Sequence, residues 1–267
     1  MKNDRVTETS NCNSKSASNS AKLESSNDKT ASKSSKFENT NGKTASKNSK
    51  LESSNGKKIC RVAVFVSGGG TNLQAIIDAC KSGTIKHAKV EVVVSSRADA
   101  FALTRAKQAG IPTFVRQKSD FTSPETGFSQ LEFENSYSAI IKDFDIDIIV
   151  LAGFMCILTE NFTSKYPERI INVHPALIPK FCGKGFYGLR VHQAVLDSGE
   201  TVTGATVHFV NEIPDGGRII SQKEVAVCVG DTPETLQRRV MEEAEWKLLP
   251  EAIETVSIEI IKIKNIK

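Results

Sequence analysis

The sequence of 267 residues has six cysteines and no C-x-x-C pair among them. Such wide spacing argues against a zinc site and a disulfide framework, and it favours a reducing compartment. The sequence also lacks a run of 18 apolar residues and an apolar N-terminal signal core, so neither a membrane span nor a secretory signal is predicted. The N-terminal region is poor in Arg and contains acids, unlike an organelle transit peptide. We therefore expect a soluble, cytoplasmic protein without a membrane partner.

Large apolar residues are scarce in residues 1–57, which contain a fourteen-residue repeat in three copies (16–29, 30–43 and 44–57). Each copy has one large apolar residue, and this is too little to bury a core that offsets the loss of backbone entropy. Known solenoid repeats are longer and more apolar. Residues 1–57 are therefore predicted to be a disordered Ser/Asn/Lys-rich tail, and residues 58–267 to form one domain.

Excess positive charge is absent from residues 58–267, although the chain has a formal net charge of +4. Residues 1–57 carry 11 Lys+Arg against 6 Asp+Glu, whereas the remainder carries 24 against 25. A nucleic-acid-binding domain would show a basic face of its own. Nucleic acid is therefore not an expected partner of the domain, and only the tail could bind polyanions weakly.

Short runs rich in Val and Ile alternate with helical patterns between residues 61 and 175. The runs lack polar alternation, which is typical of strands buried on both faces of a parallel sheet. The β-α-β-α-β order predicts a doubly wound, mostly parallel, Rossmann-like α/β sheet with right-handed crossovers. Strands on either side of the turn 211–217 predict a more antiparallel C-terminal extension. The predicted strands are 61–66, 89–94, 145–152, 169–175, 202–210 and 218–227, and the predicted helices are 71–80, 98–110, 131–144 and 233–255.

The glycine-rich loop "SGGGTN" (67–72) follows the first predicted strand. Glycines let backbone N–H groups approach a ligand closely, and a helix N-terminus favours an anion. The spacing fits neither the dinucleotide-binding loop nor the nucleoside-triphosphate loop. A single phosphate bound by Gly70, Thr71 and Asn72 is therefore predicted. The alternative is a tight turn in which Thr71 or Asn72 caps the helix.

An Asn and a His lie two residues apart in "INVHPALIPKF" (171–181). Asn172 and His174 point to the same side of the predicted strand, at the sheet edge where doubly wound folds bind ligands. The alternative for His174 is a buried, hydrogen-bonded imidazole without a catalytic role. Asp215 lies in a Pro/Gly turn, where most aspartates bond their own backbone. If folding brings it beside His174, we expect it to raise the pKa of the imidazole toward neutrality.

The other three histidines are weaker candidates for chemistry. His208, in "TVHFV", is predicted to be a sheet histidine near the site, and His87 and His192 are predicted to be surface residues. No cluster with the spacing of metal ligands is visible in the sequence, so no metal is predicted.

Five segments between residues 59 and 255 share an order and a spacing with one known family: "VFVSGGGTNLQAIIDA", "VLAGFMCILT", "INVHPALIPKF", "TGATVHFVNEIPDGGRII" and "VMEEAEWKLLP". Together they resemble phosphoribosylglycinamide formyltransferase, the folate-dependent formyltransferase of de novo purine (IMP) biosynthesis. The resemblance implies the formyltransferase fold and transfer of a formyl group from 10-formyltetrahydrofolate to the amine of N1-(5-phospho-D-ribosyl)glycinamide (glycinamide ribonucleotide). The products would be formylglycinamide ribonucleotide and tetrahydrofolate.

The resemblance also implies roles for the matching positions. The catalytic positions fall on Asn172, His174 and Asp215. The substrate phosphate falls on Gly70, Thr71 and Asn72, and the glycinamide contact on Glu245. The implied folate-binding residues are Met155, Cys156, Ile157, Leu158, Asn172, Asn211, Glu212, Ile213, Pro214 and Asp215. The resemblance further suggests a cis bond between Ile178 and Pro179.

Three positions depart from the family pattern. Cys156 stands where many members have Arg, Gln130 replaces another basic folate contact, and Trp246 follows Glu245 where His is usual. None of these positions is catalytic. Two alternatives differ in class: a 10-formyltetrahydrofolate hydrolase, in which water replaces the amine, and a non-catalytic phosphometabolite-binding module. A non-catalytic binding module would not explain the presence of Asn172, His174 and Asp215. We expect a monomer or a homodimer that binds glycinamide ribonucleotide and folate.

Overall fold

The computed structural model describes residues 59–266, so the predicted tail and Cys12 lie outside the described residues. The first half of the domain contains β1 (Cys60–Val66), α1 (Thr71–Ser82), β2 (Ala88–Ser95), α2 (Phe101–Gln108), β3 (Thr113–Val115), a 3-10 turn (Lys118–Phe121), β4 (Thr122–Ser123), β5 (Gly127–Phe128) and α3 (Gln130–Asp143). The second half contains β6 (Ile148–Leu151), α4 (Glu160–Thr163), β7 (Ile170–His174), α5 (Leu189–Asp197), β8 (Val202–Phe209), β9 (Ile219–Ala226), α6 (Pro233–Val240), a π-helical turn (Met241–Glu245) and α7 (Trp246–Ile266).

Seven strands form one sheet in the order β3-β2-β1-β6-β7-β8-β9. The pairs from β3 to β7 are parallel, and β8 and β9 are added antiparallel. The predicted doubly wound sheet with an antiparallel extension is therefore confirmed. Within residues 59–266, no helix has the length and apolar character that crossing a bilayer requires.

The sheet is covered on both faces, which explains the absence of polar alternation in its strands. Val62, Val64 and Val66 of β1 pack into one core cluster, with residues of α1, α6 and α7. Ala63 and Phe65 pack into a second cluster, with residues of α3 and α4. Successive side chains of a strand point to opposite faces, so both faces of β1 are apolar from Val62 to Val66.

The strand order changes direction between β1 and β6. In doubly wound sheets, ligands bind beyond the carboxyl ends of the strands at such a switch point. The loop after β1 and the loop after β6 meet there, because the Met155 N–H donates a hydrogen bond to Ser67 Oγ at 2.9 Å. The adjacent strand, β7, ends at His174. The fold therefore brings the glycine loop and the Asn-x-His strand to one edge.

The predicted helix over 233–255 is wrong in its continuity and its length. Its start is confirmed, because Thr232 accepts a hydrogen bond from the Thr235 N–H and Pro233 occupies the first turn. After Val240, however, the chain makes a π-helical turn, and α7 then extends to Ile266. A π turn adds a residue to the helical repeat. It leaves no signature in apolar periodicity, and short π turns occur often at functional sites.

Candidate active site

The carboxyl end of β7 places Asn172 and His174 on one side of the sheet. Ile171 and Val173 alternate with them and are packed in the core on the other side. Across the β7–β8 ladder, Asn172 lies opposite His208. The structure therefore adds a second imidazole to the predicted pair, and the prediction that His208 is a sheet histidine near the site is confirmed.

Hydrogen bonds fix the orientation of the His208 ring and of the Asn172 amide. His208 Nδ1 lies 2.8 Å from the Phe209 carbonyl oxygen, which can only accept, so Nδ1 carries the proton of the neutral ring. Nε2 is then an acceptor and lies 3.2 Å from Asn172 Nδ2. This contact uses one of the two amide hydrogens, and the other remains for a ligand.

Asp215 contacts both imidazoles from the turn that joins β8 and β9. Its backbone has a φ of 56°, in the left-handed region. Its Oδ2 lies 3.5 Å from His174 Nδ1, and its Oδ1 lies 3.5 Å from His208 Nε2. The Gly183 N–H donates to Oδ2 at 2.9 Å. The structure therefore brings together the three residues that the sequence singled out, Asn172, His174 and Asp215, around His208.

The pKa of Asp215 is lowered by its partners. Burial by itself raises the pKa of this carboxyl group, but the contact with His208, the charge of His174 and the Gly183 N–H together outweigh burial. Asp215 is therefore a carboxylate at neutral pH.

The pKa of His174 shifts in the direction opposite to the expected one. The side chain is buried, and burial lowers its pKa below 6.5, while Asp215 and the Phe181 carbonyl offset only part of this shift. Asp215 raises the pKa of His174, as expected, but the net shift is downward, because the cost of burying an imidazolium is larger than the stabilisation from a carboxylate 3.5 Å away. His174 Nε2 donates to the Phe181 carbonyl oxygen at 2.8 Å. An added proton on Nδ1 would face Asp215.

The glycine loop leads into α1 through Gly70, which has a φ of 73° and caps the helix without a side-chain hydrogen bond. The alternative in which Thr71 or Asn72 caps α1 is therefore wrong. Gly70 also lies against α2, since a Cβ atom there would lie 2.6 Å from the Cβ of Ala102. Arg105 Nε donates to the Gly69 carbonyl oxygen at 2.9 Å. The sequence analysis did not single out Arg105. The only pattern that points to it is its position four residues after Phe101, since its guanidinium stacks over the Phe101 ring.

Asn72 is buried and points away from the loop surface toward the C-terminal helices. Its Nδ2 donates to Glu245 Oε2 at 2.6 Å, and its Oδ1 has no partner within the described part of the chain. Glu245 ends the π turn and is also buried. Burial raises the pKa of Glu245 to about 7, although the Asn72 hydrogen bond opposes this shift. The predicted phosphate residue and the predicted glycinamide residue therefore form one buried pair.

The predicted folate residues after β6 form an exposed apolar wall. Met155 is 58% exposed and Ile157 is 65% exposed, whereas Cys156 is half-buried and Leu158 is buried in the core. Exposed apolar residues in a group often mark a ligand surface. In the turn before Asp215, Ile213 is 58% exposed. The other predicted turn residues are Asn211, which is half-buried and accepts from the Ile213 N–H at 3.0 Å, and the exposed Glu212 and Pro214.

His192 and His87 are not the surface residues that we expected. His192 is fully buried in α5, and neither ring nitrogen has a partner among residues 59–266. Burial, with a contribution from His174, lowers the pKa of His192 to about 4. Sequence reasoning did not predict α5, whose packing buries this ring. His87 is half-buried and lies 2.5 Å from Glu254 Oε1.

Two further features bear on ligands. The Ile178–Pro179 peptide bond is cis, as predicted. Across residues 59–266, no group of three or more His, Cys, Asp or Glu side chains could hold a metal ion.

Comparison with known proteins identifies the family. Residues 60–253 match the model of the formyl transferase family. The chain is 40% identical over 205 residues to phosphoribosylglycinamide formyltransferase of Haemophilus influenzae, covering 77% of this chain and 91% of the relative. It is also 40% identical over 202 residues to the chloroplastic phosphoribosylglycinamide formyltransferase of Arabidopsis thaliana, covering 76% and 67%.

A solved structure agrees with these relatives. The crystal structure of glycinamide ribonucleotide transformylase 1 from Symbiobacterium toebii superposes with a TM-score of 0.68 at 38% identity, covering 77% of this chain and 90% of that chain. The match of the family model over most of the described residues and the identity to these enzymes show that the chain belongs to the formyl transferase family.

Proposed function

We propose that the chain transfers the formyl group of 10-formyltetrahydrofolate to the primary amine of glycinamide ribonucleotide, in purine biosynthesis. The observation that carries the proposal is the contact of Asp215 with His174 and His208 beside the Asn172 amide. Relatives named for this activity are 40% identical to the chain over 202 and 205 aligned residues.

The amine nitrogen attacks the formyl carbon, and negative charge develops on the formyl oxygen. The free hydrogen of Asn172 Nδ2 and an N–H of His174 are the donors for this oxygen. In the structure His174 Nε2–H bonds the Phe181 carbonyl, so it must exchange this acceptor for the substrate oxygen. Catalytic hydrogen bonds often form only in the complex with substrate.

Collapse of the tetrahedral intermediate breaks the bond between the formyl carbon and N10 of the folate. The attacking amine loses a proton and N10 gains one. Asp215 is a carboxylate next to both imidazoles, so it stabilises His174 in its protonated form as charge develops. It could also relay the proton from the amine to N10. Formylglycinamide ribonucleotide and tetrahydrofolate then leave.

Substrate binding is divided between the two loops at the switch point. The backbone N–H groups of Gly70 and Thr71, at the N-terminus of α1, receive the phosphate. The buried Asn72–Glu245 pair lies beside this loop and receives the glycinamide. Folate packs on Met155, Cys156 and Ile157, which Leu158 supports from the core, and is covered by the turn 211–215.

The hydrolase alternative is less well supported, because it gives the glycine loop and the Asn72–Glu245 pair no ligand. The test uses the purified full-length chain and 10-formyltetrahydrofolate, with glycinamide ribonucleotide present or absent. We expect tetrahydrofolate and formylglycinamide ribonucleotide in equal amounts, and only when both substrates are present. Equal release of tetrahydrofolate and formate without the ribonucleotide would instead identify a hydrolase.

A further inference from the structure

The glycine loop after β1 is held against α2 through its carbonyl groups. The Ala102 N–H, in the first turn of α2, donates to the Gly68 carbonyl oxygen at 3.1 Å. One turn further along the helix, Arg105 Nε donates to the Gly69 carbonyl oxygen at 2.9 Å. Two successive carbonyl groups of the loop therefore point toward α2, and the second of them is bound by a side chain.

These contacts fix the direction of the N–H groups that follow. In a planar trans peptide, the C=O of one residue and the N–H of the next point in opposite directions. The Gly69 and Gly70 N–H groups therefore point away from α2. The Gly70 carbonyl oxygen accepts from the Gln74 N–H at 2.9 Å, and this bond directs the Thr71 N–H out of the N-terminus of α1. Among residues 59–266, none of these three N–H groups has a hydrogen-bond partner of its own.

The Arg105 guanidinium is itself held in place from two further directions. Its Nη1 donates to Gln74 Oε1 at 3.2 Å, while Gln74 Nε2 donates to Asp78 Oδ1 at 2.9 Å, so the amide turns its oxygen toward the guanidinium. The guanidinium also stacks over the Phe101 ring, with 5.1 Å between Cζ and the ring centre. The ion pairs that arginines form in the described part of the chain involve other arginines. The positive charge of Arg105 is therefore not neutralised by a carboxylate there.

We propose that Arg105 positions the glycine loop for the substrate phosphate: by binding the Gly69 carbonyl, it holds the Gly70 N–H in the direction of the anion. This inference rests on the proposed function, in which that N–H receives the phosphate of glycinamide ribonucleotide. A charged donor on the carbonyl also polarises the peptide, so the Gly70 N–H becomes a stronger donor. Without the contact the peptide is free to rotate, because the glycines on both sides of it restrict the backbone little. Arg105 acts through the loop and is a positioning residue.

Arg105→Met tests the contact, because methionine retains an unbranched apolar stem beside Phe101 and has no N–H donor in its side chain. The matched control is Lys107→Met, which removes a charge of the same sign at an exposed position of the same helix. Arg105→Met should raise KM for glycinamide ribonucleotide about 5- to 20-fold, near the lower end of the range for a hydrogen bond to a charged group, because the Gly70 N–H is misdirected and not deleted. Lys107→Met should leave this KM unchanged. An equal rise in both variants would assign the effect to charge alone and overturn the inference.

The dephosphorylated substrate separates positioning of the loop from general damage to the site. With this substrate, Arg105→Met and wild type should have equal kcat/KM. With the intact substrate, kcat and the KM for the folate should not change, because a phosphate contact is mostly uniform binding. An equal loss with both substrates, or an unchanged KM for the intact one, would overturn the inference.

Titration of the full-length chain with inorganic phosphate tests Arg105 without turnover. The amide NMR signals of Gly70 and Thr71 should shift in wild type, and the Kd should be about 5- to 20-fold higher in Arg105→Met. Signals that do not move in wild type, or a Kd that does not depend on Arg105, would contradict the proposed positioning. Phosphate binding that depends on Arg105 in a chain that does not formylate the ribonucleotide would refute only the proposed function.

Discussion

Asn72 donates a hydrogen bond of 2.6 Å to Glu245, across 173 residues of sequence. The contact joins the N-terminus of α1 to the π turn before α7, and both side chains are buried. The amide oxygen of Asn72, Oδ1, has no hydrogen-bond partner in the described part of the chain. The pair therefore has an unused acceptor. A ligand with an N–H group, such as a glycinamide, would satisfy it.

Replacing Glu245 by Gln should change how stability depends on pH. The pKa of Glu245 is about 7 in the folded state, raised from 4.5 by burial. A group with a raised folded pKa contributes stability that is complete below pH 4.5 and is lost as pH rises through 7. Glu245→Gln cannot ionise, so it escapes this loss. Its free energy of unfolding relative to wild type should increase by about 1–3 kcal/mol between about pH 5 and pH 8.

Thermal or urea unfolding at the two pH values measures this difference. Glu243→Gln, at an exposed position of the same π turn, is the matched control and should follow wild type at both pH values. Parallel curves for Glu245→Gln and wild type would contradict the raised pKa.

Asn72→Ala should raise KM for glycinamide ribonucleotide about 2- to 10-fold, the range for one hydrogen bond between neutral groups. The fall in kcat should be smaller, because a contact with the amide N–H of the glycinamide does not involve the reacting amine and is mostly uniform binding. Steady-state kinetics with the intact substrate and with its dephosphorylated form provide the check. If the dephosphorylated form reacts as efficiently as the intact substrate, the loop is a turn without a phosphate site.

Gly70 and Gly69 should differ sharply in their tolerance of a methyl group. Gly70 has a positive φ, and an added Cβ would meet backbone and side-chain atoms of Ala102 at 2.7 and 2.6 Å. Gly70→Ala should therefore destabilise the fold by about 2–4 kcal/mol. Gly69 has nothing within 4 Å of the same atom, so Gly69→Ala should change stability by less than about 0.5 kcal/mol. Urea unfolding of both variants provides the comparison, and equal losses would mean that α2 yields to the added methyl group.

Much of the fold could be predicted from short-range patterns. The Val/Ile runs around Val64 and Ile149 are apolar at every position because both faces of the sheet are covered. The same-side placement of Asn172 and His174 follows from the strand period. The β4–β5 hairpin was missed because each of its strands is only two residues long, whereas α5 was missed although its buried Val191 and Val195 have helical spacing.

The chemistry of the site was less predictable than its location. The direction of the pKa shift of His174 depends on how much water the folded protein removes from the ring. The Asn72–Glu245 bond depends on a π turn, which the sequence does not signal. The contact of His208 with Asp215 requires the turn 211–217 to fold back onto the sheet. Each of these is a tertiary property without a local pattern.

Deleting residues 1–57 should leave kcat and Tm nearly unchanged. Three large apolar residues in the repeats cannot contribute a core, and the two core clusters of the described residues begin at Cys60 and Ala63. Thermal unfolding and steady-state kinetics of residues 58–267 against the full chain provide the test. A fall in Tm of more than about 4 °C, which corresponds to roughly 1 kcal/mol or more, would show that the segment packs on the domain.

Asp215→Asn should lower kcat by about 10²–10⁴, the range for a positioned acid–base group. Asp215 opposes the effect of burial on His174, so removing its charge should lower the pKa of His174 still further. If the protonated imidazole is the active donor, kcat falls as pH rises through that pKa. The fall should therefore begin at a lower pH in Asp215→Asn than in wild type. A pH series of kcat measures this shift, and Asp197→Asn, on the exposed end of α5, is the matched control.

Substitutions of Asn172, His174 and Asp215 should also have non-additive effects on kcat, because the three residues act together. His174→Ala and Asn172→Ala are each expected to reduce kcat about as much as Asp215→Asn, and the double variants should be far from additive. Binding of both substrates, measured by calorimetry, should change little, because the developing charge exists only in the transition state. Additive losses would mean that the residues act independently. Full activity of Asp215→Asn at neutral pH would reduce Asp215 to a structural residue of its turn, and His174 would then act without a carboxylate partner.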